Sequence, residues 1–326
     1  MTTTVVKTIG SGGDFTTLQA WEDASPASLV AVDQIWQGQI KASTDVFTAG
    51  LVISGTTVSS TQYVELTTAT GASFRDNASV QTNALRYNAS NGCAIDFATN
   101  YAIAIFNNTQ DFTRISNLQV QATAANGTAL QVSASTGVDI NFCICEGLID
   151  AGPVALTASG GAEGGKIRNS LVVQRKSAAT HIAALKDFAA YNVTFAVPSD
   201  KTAATFGIDN RYFNVTMKNC AVFGGTTVIR GGTPTITTSY TSMTSPPAGW
   251  TNATYDTTQF ADITDATRDY KIPANTSAFY DTGTTDSTNA ATDIAGTSRP
   301  QGSAYDVGCW ELVVSAAVVL MGQACL

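Results

Sequence analysis

The feature that most constrains the fold is an internal repeat in the middle of the chain. Five apolar segments align on one position, which is occupied by Asn117, Phe142, Asn169, Asn192 and Asn219. Successive members are about 25, 27, 23 and 27 residues apart, a spacing typical of solenoids. A second β-prone segment follows each aligned position, within 128–134, 153–159, 181–188, 205–210 and 226–231. Each repeat is therefore predicted to be a coil of two or three short strands.

A single coil of this size cannot bury its own apolar side, so the coils must stack. Stacking at about 4.8 Å pairs each strand with its copies above and below. The repeated asparagines are typical of a turn or of a ladder of hydrogen-bonded amides. The sequence predicts an all-β solenoid with coils of about 25 residues. Its inward side chains are predicted to be Ile115, Leu118, Val120, Ile140, Ile144, Ile167, Val172, Val193 and Phe195.

The composition limits the partners of this solenoid. Charged residues make up 13% of the 326-residue chain, against about 25% in ordinary soluble domains. The net charge of −8 argues against a nucleic-acid surface, which needs clustered Lys and Arg. No apolar run reaches the roughly 18 residues of a membrane span. We therefore expect neither nucleic acid nor membrane as a partner.

The metal-ligating residue types are sparse. The chain has six cysteines and a single histidine, His181. Only Cys143 and Cys145 are close in sequence, and no C-x-x-C pair occurs. We expect no metal site and no cofactor, and we interpret the cysteines as small apolar core residues, with their disulfide state left open.

Three stretches resemble a known family. They are IGSGGDFTTLQAWEDA at 9–24, the central repeat, and the pair RDYKIPANTSAFYDTG and DIAGTSRPQGSAYDVGCWE near the C-terminus. Together they resemble the pectate-lyase-like superfamily, of the kind found in bacteriophage virion structural proteins. The ending matches the family pattern at Asp269, Tyr270, Ile272, Ser277, Ala278, Asp281, Gly283, Asp293, Gly296, Arg299, Pro300, Asp306, Gly308 and Glu311.

This resemblance implies a single-stranded right-handed parallel β-helix with an N-terminal capping helix. It does not imply one activity, because the fold hosts lyases, hydrolases, fibres and adhesins. The boundaries that follow are a strand and capping helix at 1–35, coils at 36–237, a loop-rich excursion at 238–268, a final coil and C-terminal cap at 269–311, and an apolar tail at 312–326.

The opening stretch is interpreted as a plug for the first coil. A solenoid exposes core and unpaired strand edges at its ends, so it needs caps. Asp14 can cap the start of the helix, while Leu18, Trp21 and Val30 would cover the core. Trp310 is predicted as a cap residue at the other end.

Catalytic candidates are weak. Polysaccharide hydrolases need paired carboxylates, and lyases need a base and commonly calcium. The acidic residues of the repeat region are Asp139, Glu146, Asp150, Glu163, Asp187 and Asp209. Asp187 and Asp209 lie one coil apart and could approach each other, so they are the candidates if the protein is an enzyme. A solvated-surface role is the alternative for each acid.

The apolar tail predicts a docking strand. An uncharged, β-prone segment would aggregate if it were free. It is therefore expected either to fold onto its own solenoid or to add to a partner by strand augmentation. The residues that would make this contact are Val313, Val314, Val318, Val319 and Leu320.

Three functional hypotheses remain open. The first is a non-enzymatic bacteriophage virion protein, for capsid decoration or a tail spike or fibre, bound to other virion proteins and oligomeric. It is favoured by the resemblance and by an N-terminus without a signal-peptide pattern. The second is a depolymerase of host-surface polysaccharide, and the third is a glycan-binding adhesin. The expected location is the virion, with an extracellular protein as the alternative.

Overall fold

The computed structural model describes residues 1–98, 101–106, 110–123, 128–133, 135–147, 156–159, 164–177, 179–210, 214–232, 234–242 and 246–314. In these ranges, three sheets of parallel strands share one stack of coils. Each strand pairs with the strands one coil before and after it in sequence. The predicted right-handed parallel β-helix is confirmed.

The strands are numbered in chain order. Sheet I contains β1 (Thr3–Ile9), β2 (Gln34–Ile40), β5 (Val64–Thr68), β8 (Arg114–Ser116), β11 (Asp139–Asn141), β14 (Gly165–Arg168), β17 (Phe188–Tyr191), β20 (Thr216–Lys218) and β23 (Thr235–Thr237). Sheet II contains β4 (Leu51–Ile53), β7 (Tyr101–Phe106), β10 (Thr128–Ser133), β13 (Leu156–Ser159), β16 (His181–Leu185), β19 (Ala204–Asp209) and β22 (Gly225–Arg230). Sheet III contains β3 (Val46–Phe47), β6 (Ala94–Phe97), β9 (Gln119–Ala122), β12 (Ile144–Gly147), β15 (Leu171–Gln174), β18 (Thr194–Ala196), β21 (Ala221–Phe223), β24 (Ser239–Thr241) and β25 (Trp250–Asn252).

Helices are short. They are α1 (Leu18–Asp23), α2 (Leu29–Val32) and α3 (Ser287–Ala290), with single 3₁₀ turns at Phe74–Asp76 and Ala89–Asn91. Within the described part of the chain, no helix is long and apolar enough to cross a membrane.

The repeated position is a left-handed corner between sheets I and III. Asn117, Phe142, Asn169, Asn192 and Asn219 all have φ between 48° and 63°. Asparagine tolerates this conformation better than most residues. One pair of the repeated amides is also hydrogen-bonded, since Asn219 Nδ2 donates to Asn192 Oδ1 at 3.1 Å. Asn169 Nδ2 donates instead to Oδ1 of Asn141, which precedes the repeated position, at 3.0 Å. The predicted turn is therefore present, and among the described residues the amide ladder is limited to one pair of the repeated asparagines.

The main core follows the predicted alternation with one exception. The inward residues from all three sheets form one buried cluster that includes Ile115, Leu118, Val120, Ile140, Ile167, Val172, Val193 and Phe195. Ile144 belongs instead to a second apolar cluster, on the outer face of sheet III. Its neighbour Cys145 points into the main core. The strand is covered on both faces, so its apolar residues do not by themselves show which side is inward.

The start of α1 differs from the prediction. Its N-cap residue is Thr17, whose hydroxyl accepts from the backbone N–H of Ala20 at 3.1 Å. Asp14 lies too far ahead of the helix to reach those amides. It accepts instead from the backbone N–H and the hydroxyl of Thr8, at 2.8 and 3.0 Å. The prediction that Asp14 caps the helix was therefore wrong, because this carboxylate binds β1, the outermost strand of sheet I.

The helix itself packs tightly on the core. Leu18 and Trp21 are buried with the main cluster. Gly38 lies under the indole, where an added Cβ would be 2.5 Å from Trp21 Cε2. Val30 of α2 is 47% exposed and does not cover the core as predicted. The role of α1 as a terminal cap stays a prediction, which the Trp21 variant in the Discussion tests.

The end of the chain lies along the flank of the solenoid. Residues 253–312, here called the C-terminal segment, pack on the outer face of sheet III and form the second apolar cluster with it. Its backbone bridges are isolated and antiparallel, at residues 262 and 269, 283 and 305, and 292 and 298. The final coil predicted for 269–311 was therefore wrong. Trp310 packs in this flank cluster rather than over the end of the core.

One further predicted segment differs, while docking by the apolar tail stays a prediction. The excursion predicted for 238–268 begins with β24 and β25, which continue sheet III. In the tail, Val313 and Val314 are exposed, while Val318, Val319 and Leu320 lie outside the described residues. The five described cysteines, Cys93, Cys143, Cys145, Cys220 and Cys309, are buried free thiols.

Candidate functional site

The outward side chains of sheet I are arranged in regular rows along the stack of coils. One row follows the strand register through Glu65, Arg114, Asp139, Lys166, Ala189, Thr216 and Thr235. Ala189 comes directly after Lys166, so a small side chain interrupts a row of longer ones. The consequence is a depression in an otherwise polar face.

A pocket of 450 Å³ lies at this depression. Ala189 is among its lining residues, and Tyr191 follows two positions later on the same strand, β17. We call it the flank pocket. Its described lining residues are Gly164, Gly165, Lys166, Asp187, Phe188, Ala189, Tyr191, Asn214 and Thr216. The set combines an aromatic ring with an ammonium, a carboxylate, an amide and a hydroxyl.

Two of these side chains are held by their surroundings. Asp187 occupies a left-handed corner with φ of 55°, and its Oδ1 accepts from the backbone N–H of Asn214 at 3.2 Å. Tyr191 is half-buried, and burial raises the pKa of its hydroxyl, with the Asp286 charge adding to the rise. The phenol is therefore neutral over the ordinary pH range.

The charges beside the pocket form ion pairs. Asp139 contacts Arg168 at 2.9 Å and Lys166 at 3.8 Å. One carboxylate thus faces two cations, so Lys166 retains donor capacity toward the pocket. Asp139, a predicted candidate, orients these cations and does not line the pocket itself.

The predicted pair Asp187 and Asp209 are not register partners. Asp209 lies beside Ala184 in sheet II and is almost fully buried. Its Oδ2 is 3.9 Å from His181 Nδ1 and 3.9 Å from an Arg230 guanidinium nitrogen. The structure therefore groups Asp209 with a histidine and an arginine, while Asp187 lines the flank pocket.

The other predicted acids separate in the same way. Glu146 is fully buried, and its carboxylate accepts hydrogen bonds from Nε and from a terminal guanidinium nitrogen of Arg268. It also accepts from the backbone N–H of Tyr87 at 2.9 Å. Asp150 and Glu163 lie outside the described residues. Among the described residues, no three His, Cys, Asp or Glu side chains are placed to hold a metal ion.

A buried carboxylate cluster closes the C-terminal segment. Asp293 accepts from the backbone of residues 295, 297 and 311, and Asp306 accepts from that of residues 281 and 312. Glu311 accepts from the backbone N–H of Gln301 and Asp306, at 2.8 and 3.0 Å. Arg299 lies 3.6 Å from Glu311. All three carboxylates accept hydrogen bonds from backbone N–H groups, so they stabilise the folded conformation of the C-terminal segment.

Stability should depend on pH through this cluster. Burial raises the pKa of Glu311 to about 7 from 4.5, although Arg299 lowers it. Folding therefore favours the protonated acid, and the stability it contributes is present below about pH 4.5 and is lost as pH rises through about 7. Burial raises the pKa of Asp293 and Asp306 as well, which acts in the same direction.

We expect the melting temperature to fall between about pH 5 and pH 8, and to fall less in Glu311→Gln. Differential scanning calorimetry at each pH measures both slopes. Glu65→Gln, on the polar face of sheet I, is the matched control and should keep the wild-type slope. Equal slopes in wild type and Glu311→Gln would contradict this assignment.

Most of the flank pocket is absent from the sequence predictions, which include Asp187 but not Lys166, Ala189, Tyr191 or Asn214. The sequence does carry a signal, because the register of the repeat places residues 166, 189 and 216 in one outward row. The alternation of inward residues does not reveal that row.

Comparison with known proteins identifies similar folds only. No protein-family model matches the chain, and no curated protein matches it. Among solved structures, it resembles the pectin methylesterase from Aspergillus niger in deglycosylated form, with 16% identity, a TM-score of 0.42, and coverage of 77% of this chain and 91% of that one. The same enzyme in penultimately deglycosylated form gives 16% identity, a TM-score of 0.43 and the same coverage.

Proposed function

We propose that the protein is a non-enzymatic glycan-binding β-helix and that the flank pocket is its binding site. The observation that carries the proposal is the pocket itself, where Ala189 opens space beside Tyr191 on a rigid polar sheet. Binding sites typically combine a pre-formed concavity with a few oriented polar groups. This corresponds to the third hypothesis of the sequence analysis.

The lining chemistry suits a sugar. A pyranose presents an apolar face and a ring of hydroxyl groups, so it needs a flat apolar surface together with donors and acceptors. Tyr191 supplies the ring, Lys166 supplies donors, and Asp187 supplies acceptors. Asn214 and Thr216 can do both. Because these groups lie on strands and a fixed corner, little ordering is required on binding.

The carboxylates support binding more than hydrolysis. Glycosidases commonly use two carboxyl groups about 5 to 9.5 Å apart. Asp187 is the carboxylate among the described lining residues, and it already accepts from the Asn214 backbone. The depolymerase hypothesis is therefore the alternative outcome of the experiment below.

The sharpest test fills the pocket. We expect Ala189→Leu to weaken binding of the glycan found by array screening by at least about 10-fold, which is 1.4 kcal/mol, because the added side chain occupies the floor. Isothermal titration calorimetry gives the affinity. Thr235→Leu is the matched control, since it adds a similar side chain in the same outward row but outside the pocket.

Two results would contradict the proposal. One is equal affinity of Ala189→Leu and wild type for every glycan bound, which would place the site elsewhere. The other is release of new reducing ends from a bound polysaccharide, which would make the protein a depolymerase.

Incorporation into a bacteriophage particle stays a prediction of the sequence. It is compatible with glycan binding, because a virion-borne β-helix can present such a site to a cell surface. Other virion proteins as partners, an oligomeric state and the virion location are proposals on the same footing.

A further inference from the structure

A second polar pocket lies on the outer face of sheet III, separate from the flank pocket. Its volume is 410 Å³, and we call it the arginine pocket. It forms where two stretches outside the coils meet the sheet. Its lining residues are Arg86, Tyr87, Asn88, Ala89, Gln121, Arg175, Asp265, Ala266 and Arg268.

The pocket is positively charged in a protein that is acidic overall. Three guanidinium groups and one carboxylate line it, whereas the chain carries a net charge of −8. Glu146 lies beneath the surface and is already paired with Arg268. The excess charge at the opening is therefore positive.

The acids of this region position the arginines. The Glu146 carboxylate accepts from Nε and one terminal nitrogen of Arg268, whose side chain is almost completely buried. Asp265 receives Nε and a terminal nitrogen of Arg175, the latter at 3.0 Å. Lys201 pairs with the same Asp265 at 3.0 Å. Fixing guanidinium groups in this way leaves less side-chain entropy to be lost on binding.

Donors remain available in the pocket. Arg86 donates one hydrogen bond, to the carbonyl of Ala266, and none of the described carboxylates lies within ion-pair distance of it. The second terminal nitrogen of Arg175 is 3.8 Å from Glu146, beyond hydrogen-bond reach.

We propose that the arginine pocket binds an oxyanion, held by Arg86 and Arg175. Arginine forks match the paired oxygens of sulfate, phosphate and carboxylate groups. The anion can be free in solution or carried by an acidic sugar. The proposal does not depend on the flank pocket, which lies on a different sheet and is tested by different variants.

The test is calorimetric titration at constant ionic strength with sodium sulfate, sodium phosphate, sodium glucuronate and, as the neutral control, glucose. We expect saturable binding of at least one anion and none of glucose. Arg86→Gln should weaken that binding by at least about 10-fold, and Arg175→Gln should weaken it as well. Arg114→Gln is the matched control, since this arginine lies on sheet I over Tyr63.

The comparison of anions identifies the source. Tighter binding of glucuronate than of sulfate or phosphate would assign the anion to a sugar, and the reverse would assign it to a free ion. Unchanged melting temperatures of the variants without anion establish that they are folded. The proposal is overturned if no anion saturates, or if folded Arg86→Gln and Arg175→Gln bind as the wild type does.

Discussion

Replacing Arg299 by alanine is expected to lower the free energy of unfolding by about 3 to 5 kcal/mol. The side chain is fully buried. It donates to Asn192 Oδ1 at 3.1 Å and to the carbonyls of Asp306 and Gly308 at 2.8 and 2.9 Å. Its loss removes the donor to the Asp306 and Gly308 carbonyls and leaves Glu311 buried without its cation. Urea denaturation followed by circular dichroism measures the effect.

Two variants make this prediction specific. Arg299→Lys keeps the charge but cannot form the same planar set of hydrogen bonds. It should therefore lower the free energy of unfolding by less than Arg299→Ala does. Arg114→Ala removes an exposed arginine and should cost less than about 1 kcal/mol. If Arg299→Ala also lowers the free energy of unfolding by less than about 1 kcal/mol, the C-terminal segment is not held by this residue.

Replacing Trp21 by alanine should cost a similar amount, about 3 to 5 kcal/mol. The indole is completely buried between α1 and the first strands, with Gly38 beneath it. Alanine would leave a large cavity there, and the tight packing around Gly38 limits how far the helix can move to fill it. Urea denaturation is again the measurement.

The matched control for this variant is Val30→Ala in the neighbouring helix. Val30 is largely exposed, so its truncation should change stability by about 0.5 kcal/mol or less. Trp21→Ala should also promote self-association in sedimentation velocity experiments, because the strand edges that α1 is predicted to cover would open. Wild-type stability and a monodisperse Trp21→Ala protein would contradict the capping role of this helix.

The repeat predicted the coils well because one geometric requirement recurs in each of them. The corner between sheets I and III needs a residue in the left-handed conformation. The repeated asparagines at this corner make the requirement visible in the sequence, at Asn117, Asn169, Asn192 and Asn219. The alternation of apolar residues predicted the inward side for the same reason. It was wrong at Ile144, where the strand is apolar on both faces because the C-terminal segment covers the outer one.

The candidate sites could be predicted less well, because they depend on contacts between distant parts of the chain. Glu146 and Arg268 are 122 residues apart, and no local pattern connects them. Asp14 shows the same limit at short range, because its position before a helix suggested a cap while its carboxylate binds Thr8 instead. An alanine such as Ala189 does not by itself indicate a binding site. Its small side chain matters only because it lies beside Lys166 and Thr216 in the pocket lining.

The path of the C-terminal segment changes how this solenoid is expected to unfold. In a simple repeat protein each coil contacts only its neighbours, so stability can be lost one coil at a time. Here Arg75 Nε binds the carbonyl of Ile294, 219 residues away, and the Gly308 backbone N–H binds the carbonyl of Asn219. A single chain segment thus links early and late coils. Unfolding of the coils that carry these contacts must break that link, which couples those coils into one cooperative unit and adds long-range contacts that slow folding.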